Sequence, residues 1–527
     1  MHFKAESILV GVGMKQSASL IKGTAILTMA GLLVKILGAV YRIFLSRLIG
    51  PEGIGLYQMA YPVYLIFLSL STAGIPIAIS KIIAEKATVG DVAGVKGIFK
   101  AAFLLLLGMG LFFAIGMAGS ASWIATHLVA DERAVYAIWA LAPAIFFMNI
   151  MAVFRGFFQG WLEMKPSAVS QIFEQITRVA VSVILAMMFL KNGVEHAAAG
   201  AAFGATAGGA AGLCYLVITY YKKRNCFKIN QSKKGYGNLG KNIQKLIKFA
   251  LPISITVILM PILQTLDSII VPNMLQKIGY TIRQSTTMLG VLGNSWAVIY
   301  LPLIVTTAIS TYMVPTVASL RNSFGNSLIK EKVTEGLRLA LIYLIPATVG
   351  LAVFGETVYR LIYGQSGVEL LTWFAPAVFF MGLEQVSAGI LQGLGRPKWP
   401  LVNFTLGAIV KIGITISATG WPGFNLAGAA LGTVLGAGIT ALSNLFVIKK
   451  IIHYQLPFKF KLLISGLMML IFCCLAKREL HLGYLIEFFG IGVFGVGLYL
   501  VTLWIVKGII PRDLEMIREL FKKKEPA

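Results

Sequence analysis

Apolar runs of about 20 residues recur from one end of the chain to the other, and only short polar stretches separate them. A run of this length lets an α-helix cross a hydrocarbon core about 30 Å thick, and a helix satisfies all of its backbone hydrogen bonds within one segment. The pattern predicts an all-α polytopic membrane protein. It contains about fourteen transmembrane helices, over residues 19–47, 54–80, 98–120, 134–157, 167–190, 197–221, 246–272, 286–317, 336–355, 367–392, 399–419, 424–448, 460–476 and 483–509.

An internal repeat relates the two halves of the chain. Residues 142–148, A-P-A-I-F-F-M, recur as A-P-A-V-F-F-M at 375–381, an offset of 233 residues, and the same offset places Q-G at 159–160 on Q-G at 392–393. Predicted helices four to six therefore match helices ten to twelve. Because six is even, both halves have the same orientation in the membrane. This predicts two pseudo-symmetric six-helix lobes around a central cavity, as in a transporter. A duplicated channel or membrane enzyme is the alternative.

The helices and the repeat divide the chain into five segments. They are an N-terminal six-helix lobe (14–222), a basic cytoplasmic linker (223–244), a C-terminal six-helix lobe (245–450), two additional transmembrane helices (451–510) and a basic amphipathic tail (511–527). Little chain remains between the apolar segments, so we expect no soluble catalytic domain and no enzyme activity. The first apolar segment is too long for a signal peptide, and we expect it to stay in the mature chain.

Composition and charge agree with a lipid environment. Of the 527 residues, 57% are hydrophobic and 13% are charged, whereas soluble domains carry about 25% charged residues. Of the 46 Lys and Arg residues, 34 lie at predicted inner loops and tails, 8 at outer loops and 4 within helices. This positive-inside pattern predicts cytoplasmic termini. The net charge of +25 then faces anionic membrane lipids rather than nucleic acid.

The chain contains four cysteines, and their spacing is not typical of a disulfide framework or a metal site. We expect no cofactor, no metal and no catalytic residue.

Four cations fall deep inside predicted helices: Lys35 and Arg42 in the first, Arg178 in the fifth and Lys411 in the eleventh. A cation at the centre of a membrane helix costs about 2.5–3.5 kcal/mol, so such residues usually face a polar cavity. Lys35 and Arg42 are seven residues apart and share one helix face. For Arg42, and more strongly for Arg47, the alternative is that the side chain extends to the outer headgroups.

Arg178 has two interpretations. Glu174 lies four residues before it, the spacing of an intrahelical ion pair that would neutralise the arginine. Against this, the 233-residue offset places Arg178 on Lys411, so the two cations occupy equivalent positions in the two halves. We therefore expect Arg178 and Lys411 to face a common cavity, with Glu174 as part of the same site.

Two carboxylates, Asp267 and Glu384, lie in predicted helices seven and ten. They could pair with Lys411 or take part in coupling to a cation. Glycines at spacings of four residues recur in helices six and twelve, which favours close helix packing.

Several motifs resemble the stage V sporulation protein B group of bacterial polysaccharide exporters. The resemblance covers roughly residues 14–510. The motifs are G-P-E-G-I-G-L-Y at 50–57, G-I-P at 74–76, A-I-S-K at 78–81, R-G-F-F-Q-G at 155–160, P-S-A-V-S-Q at 166–171 and E-Q at 174–175.

This resemblance implies a superfamily that also contains the lipid II flippases and the multidrug and toxin extruders, with two six-helix lobes that work by alternating access. In the lipid II flippases the first helix carries cavity arginines, and the two additional helices form a groove for the lipid tail. Here Lys35 stands in place of one arginine. Tyr41 and Arg42 stand where the pattern has an arginine followed by an acid.

The favoured hypothesis is a flippase of the bacterial plasma membrane, working as a monomer. Its substrate would be an undecaprenyl-pyrophosphate-linked precursor of peptidoglycan or another polysaccharide, for the cell wall or the spore cortex. Lys35, Arg42 and Arg178 would hold the diphosphate, with Lys411 as a further contact.

The main alternative is a cation-coupled multidrug exporter that uses Asp267 and Glu384. The cations of the first helix argue against it, because a cationic drug would meet like charge. A membrane glycosyltransferase lacks paired outer-loop carboxylates, and a scaffold role in the spore envelope is a further alternative.

The charge distribution makes a testable prediction about topology. Reporter fusions after Lys234 and after Ala527 should both report a cytoplasmic location, because the Lys and Arg residues concentrate on that side. A fusion after Glu132, in a predicted outer loop, is the control that should report the opposite side. A cytoplasmic signal at all three positions would contradict the helix count.

Overall fold

The computed structural model describes residues 2–72, 74–224, 227, 238–323, 326–364, 369–453, 460–480, 483–506 and 508. The predicted amphipathic tail and most of the predicted basic linker lie outside these residues. The helices of the described part are α1 (His2–Thr72), α2 (Ile75–Thr88), α3 (Val92–Trp123), α4 (Ala134–Gly160), α5 (Met164–Phe189), α6 (Val194–Lys223), α7 (Leu239–Lys277), α8 (Ile282–Ser323), α9 (Asn326–Tyr363), α10 (Leu370–Gly393), α11 (Lys398–Thr419), α12 (Leu426–Ile452), α13 (Phe460–Leu480), α14 (Tyr484–Ile486) and α15 (Gly492–Ile505).

Helix α1 contains the first predicted transmembrane span and most of the second. Gly50 interrupts its regular geometry with φ 68° and ψ 177°, a conformation that L side chains rarely adopt. Pro51 follows and has no backbone N–H to donate to the preceding turn. The chain therefore bends between the two spans.

Twelve helices of the described residues are long and apolar enough to cross a membrane. One of these, Ile26–Thr88, includes most of the first predicted span and all of the second, and the predicted seventh span lies within α7. The described residues contain no strand. The prediction of an all-α polytopic membrane protein is confirmed.

The chain forms two compact units. The first consists of Met1–Pro272 and Ile282–Gly290, and the second of Asn273–Thr281 and Val291–Ala527. In the first unit α6 packs against α4 and α5, and in the second α12 packs against α10 and α11. The two units thus share the helix pairing that the sequence repeat predicts. Helix α7 as far as Pro272 lies in the first unit. The predicted linker at 223–244 between two six-helix lobes stays a prediction.

Glycines bring the last two helices of each repeat into close contact. A Cβ atom on Gly208 of α6 would lie 2.6 Å from the carbonyl oxygen of Glu174 and 3.0 Å from the Cβ of Arg178. A Cβ atom on Gly436 of α12 would lie 2.7 Å from the carbonyl oxygen of Gly407 and 2.8 Å from the Cβ of Lys411. The close helix packing predicted from the glycine spacing is confirmed. These contacts also show that Arg178 and Lys411 occupy the same place within their units.

The additional C-terminal helices pack against α9 in the second unit. At the start of the π-helical turn Glu487–Ile491, the Glu487 carboxylate accepts a hydrogen bond from Thr357 of α9 at 3.0 Å. It also lies 3.3 Å from the Lys477 ammonium of α13. Since Glu487 is buried, this ion pair with its hydrogen bond fixes α13 and the π-helical turn onto α9.

A charged cluster fixes the loop between α3 and α4 to two other parts of the first unit. Asp131 is buried and accepts hydrogen bonds from Arg133 at 2.8 Å and from Thr286 of α8 at 2.6 Å. Glu52 of α1 binds Arg133 at 2.5 Å and Arg283 of α8 at 2.9 Å. The hydrogen bond to Asp131 raises the pKa of Arg133 above its ordinary value. The cluster therefore joins the loop, α1 and the first turn of α8.

We predict that Asp131→Asn lowers the free energy of unfolding by about 1–3 kcal/mol, because it removes a buried carboxylate that accepts three hydrogen bonds from Arg133 and one from the hydroxyl of Thr286. Glu85→Gln is the matched control. It breaks an ion pair with Lys81 in which both side chains are about half exposed, and should cost at most about 0.5 kcal/mol. Denaturant titration in detergent micelles measures both values. Equal losses would contradict a stabilising role for the cluster.

Candidate anion-binding site

A cavity of about 230 Å³ opens in the first unit, between the two segments of α1 and the middle of α5. This volume lies below the usual 300–1,000 Å³ of ligand pockets, so the cavity suits one small polar group rather than a whole head group. Apolar side chains and Gly38 complete the wall. The polar and aromatic side chains that line it are Tyr41, Arg42, Tyr57, Gln58, Tyr61, Gln175 and Arg178.

Arg178 carries the charge at the centre of this site. Its guanidinium carbon lies 5.2 Å from the centroid of the Tyr61 ring, and the Tyr61 ring is stacked on Tyr57 with centroids 5.3 Å apart. A cation above an aromatic face gains about 0.5–2 kcal/mol. Among the described residues, no carboxylate lies within 4.0 Å of the guanidinium. The contact with the ring therefore leaves the edge of the guanidinium available to an anion.

Glu174 acts on Arg178 electrostatically but makes no ion-pair contact with it. Its Oε2 atom instead accepts a hydrogen bond from Nη2 of Arg155, on α4, at 2.9 Å. Nε of Arg155 donates a second bond to the hydroxyl of Ser170 at 3.0 Å. The intrahelical ion pair that the spacing allowed is replaced by an ion pair between two helices. Glu174 is not among the residues that line the cavity.

The cations of α1 take different positions. Arg42 is half-buried and lines the cavity together with Arg178. Lys35 is exposed and is absent from the lining. The structure thus brings Arg42 and Arg178 together and places Lys35 outside the cavity.

The remaining predicted site residues lie in different parts of the molecule. Asp267 is half-buried on α7 in the first unit. Glu384 on α10 and Lys411 on α11 belong to the second unit, where the Lys411 ammonium lies 5.4 Å from the ring centroid of Trp296. Because Arg178 and Lys411 lie in different units, the common cavity predicted for them stays a prediction.

The sequence interpretation missed the aromatic partners of the two cations. Tyr57, Tyr61 and Tyr64 follow one another at spacings of four and three residues, so they share one face of the second span. Such a stripe of polar aromatic residues beside predicted membrane cations is a signal that could have identified the pocket. In the second unit Tyr300 follows Trp296 at the same spacing of four residues, and the two rings are stacked with centroids 5.4 Å apart.

Metal ligands are not grouped in this part of the chain. No group of three or more His, Cys, Asp or Glu side chains that could hold a metal ion occurs among the described residues.

Comparisons with known proteins extend the motif evidence. Residues 20–278 match the family described as polysaccharide biosynthesis protein. The chain is 29% identical to stage V sporulation protein B of Bacillus subtilis (strain 168) over 83% of its own length and 85% of that protein. It is 27% identical to the lipid II flippase MurJ of the same organism, over 83% of this chain and 84% of that one. The resemblance stated from the motifs is confirmed.

Solved structures share the fold. The inward closed conformation of the lipid II flippase MurJ has a TM-score of 0.68 at 17% identity, covering 93% of this chain and 99% of that one. An inward-facing multidrug resistance MATE family transporter has a TM-score of 0.66 at 16% identity, over 80% and 94% of the two chains. At these identities the similarity establishes the architecture alone.

We predict that cysteines at positions 178 and 411, each introduced into a cysteine-free background, react with a small charged thiol reagent, as the proposed aqueous surroundings of both positions require. Ala186→Cys, at a fully buried position of α5, is the unreactive control, and Glu132→Cys is the exposed one. Rates at positions 178 and 411 should exceed that of the buried control at least fivefold. If neither position reacts while position 132 does, the cations lie in dry protein instead.

Proposed function

We propose that this protein is a flippase for an undecaprenyl-diphosphate-linked glycan, such as a peptidoglycan or other polysaccharide precursor. The observation that carries the proposal is the Arg178 guanidinium, which borders a small cavity within the membrane-spanning helices and has no carboxylate partner among the described residues. A positive charge in such a place is stabilised when a mobile anion binds beside it.

The chemistry is recognition rather than bond making. Arg42 and Arg178 present planar guanidinium groups, which bind phosphate oxygens in pairs through parallel N–H donors. In surroundings of low dielectric, each such contact is stronger than in water. Gln58 and Gln175 add neutral donors and acceptors on the same wall. The cavity volume fits the diphosphate, so the sugars would extend beyond it.

The cations outside this cavity have supporting roles in the proposal. Lys35 would meet the approaching head group on the exposed face of α1, and Lys411 would give a second contact in the second unit. The head group crosses by alternating access while the polyprenyl tail stays in the lipid. The plasma membrane location, the cytoplasmic termini, the action as a monomer and the link to spore or cell-wall synthesis belong to the same proposal. The similarity to stage V sporulation protein B and MurJ supports it.

A multidrug exporter coupled to a cation is the second candidate, and two observations favour it. The fold resembles a MATE family transporter, and Glu384 places a half-buried carboxyl group in α10. However, the cavity of the first unit offers two arginines, and a cationic drug would be repelled there. The anionic substrate is therefore the better supported choice.

We expect native mass spectrometry to show retention of undecaprenyl diphosphate, with little retention of an uncharged polyprenol or a cationic drug at equal concentration. Arg42→Gln and Arg178→Gln should each weaken this binding at least tenfold, because an amide keeps the polar end but loses the charge. Lys35→Gln should abolish complementation of a strain that lacks its flippase, whereas Lys35→Arg should retain it.

Arg47→Gln is the control for this experiment, since Arg47 is an exposed cation of the same helix outside the cavity. It should change neither binding nor complementation. Preference for the drug, or full function of the Lys35→Gln, Arg42→Gln double variant at matched protein level, would overturn the proposal.

A further inference from the structure

Glu174 has two arginines within reach, and the structure joins it to the one outside the cavity. Arg178 lies four residues after it on the same helix, with the acid preceding the base, the favourable order for an intrahelical pair. Glu174 nevertheless binds Arg155 at 2.9 Å, and the two side chains are only 15% and 16% exposed. Ser170 holds Arg155 in place from the same side as Glu174.

The charges of α4 and α5 show why the pairing of Glu174 with Arg155 affects the cavity. Glu174 carries one negative charge, whereas Arg155 and Arg178 together carry two positive charges. If Glu174 turned to Arg178, the cavity would lose its free positive charge, and Arg155 would be left as a largely buried cation without a partner. With the pairing observed, Arg155 is neutralised and Arg178 rests on Tyr61 with its charge intact.

The second unit provides an internal comparison. The 233-residue offset places Arg155 on Ala388 and Glu174 on Gly407, so both members of the ion pair are absent there. The structure confirms this register, because Gly436 contacts the carbonyl of Gly407 as Gly208 contacts that of Glu174. In the second unit, no carboxylate lies four residues before Lys411, and no arginine stands at the position equivalent to Arg155.

We propose that Arg155 is a positioning residue for the anion site. It holds the Glu174 carboxylate away from Arg178 and so keeps the guanidinium of Arg178 available to the substrate, although Arg155 itself does not line the cavity. The inference rests on the proposed function for the identity of the anion. The availability of Arg178 can be measured without any substrate.

The first test measures the protein alone. Phenylglyoxal modifies arginine side chains, and mass spectrometry of peptides gives the rate at position 178. Arg155→Gln should slow this rate at least fivefold, because Glu174 then pairs with Arg178. The double variant Arg155→Gln, Glu174→Gln should return the rate to within about twofold of the wild-type value. An unchanged rate in Arg155→Gln would overturn the proposal, whether or not the protein is a flippase.

The second test measures binding of undecaprenyl diphosphate to the full chain. Arg155→Gln should weaken binding at least tenfold, whereas Arg155→Lys should retain most of it and the double variant should recover it. If Arg155 served only to hold α4 against α5, the double variant would bind no better than Arg155→Gln, and that result would overturn the proposal.

Lys223→Gln is the matched control, because it breaks the ion pair between Lys223 and Glu163 away from the cavity. It should change neither the phenylglyoxal rate at position 178 nor the binding. The two tests also separate the proposals. Wild-type protein that fails to bind the diphosphate would refute the proposed function, while the reactivity of Arg178 would still decide the role of Arg155.

Discussion

The cost of keeping a guanidinium charged inside the membrane governs the arrangement of the first unit. At a helix centre this cost is about 2.5–3.5 kcal/mol, and a cation–π contact such as that of Arg178 with Tyr61 offsets about 0.5–2 kcal/mol of it. The stacked Tyr57, the buried Gln175 and the cavity supply the remaining polar surroundings. Each neighbour stabilises the charge without cancelling it. These surroundings differ from those of a structural ion pair, and the proposed anion site rests on that difference.

Backbone packing sets where that charge lies. Gly208 brings α6 against α5 at the level of Arg178, and the guanidinium of Arg178 lies beside Tyr61 of α1. The bend at Gly50 separates the two segments of α1, and both contribute side chains to the wall of the cavity. In the second unit, Gly436, Lys411 and Trp296 repeat the same elements, a glycine behind a cation and an aromatic ring beside it. The two repeats therefore share the glycine and the aromatic ring beside a cation, as well as the order of their helices.

Much of this could be predicted from the sequence, since hydrophobic length and positive charge act over whole segments. The all-α membrane fold followed from such regularities. The correspondence of helices four to six with helices ten to twelve, and of Arg178 with Lys411, followed from the 233-residue offset of the repeated motifs. The partner of Glu174 did not. Spacing along α5 favoured Arg178, whereas Arg155 lies 19 residues earlier on another helix, and only the packing of α4 on α5 brings it near. In the same way, helix periodicity placed Lys35 and Arg42 on one face but could not tell how far along α1 the cavity extends.

The presence of Arg155 and Glu174 in one half and of Ala388 and Gly407 in the other constrains how the two halves could have diverged after duplication. If Glu174 had appeared first, its carboxylate would have paired with Arg178. If Arg155 had appeared first, it would have been a buried charge without a counterion. Losing either residue later recreates one of those two states. Each member of the pair thus makes the other difficult to replace. Positions 155 and 174 should therefore change only together, whereas exposed residues without a partner can change singly.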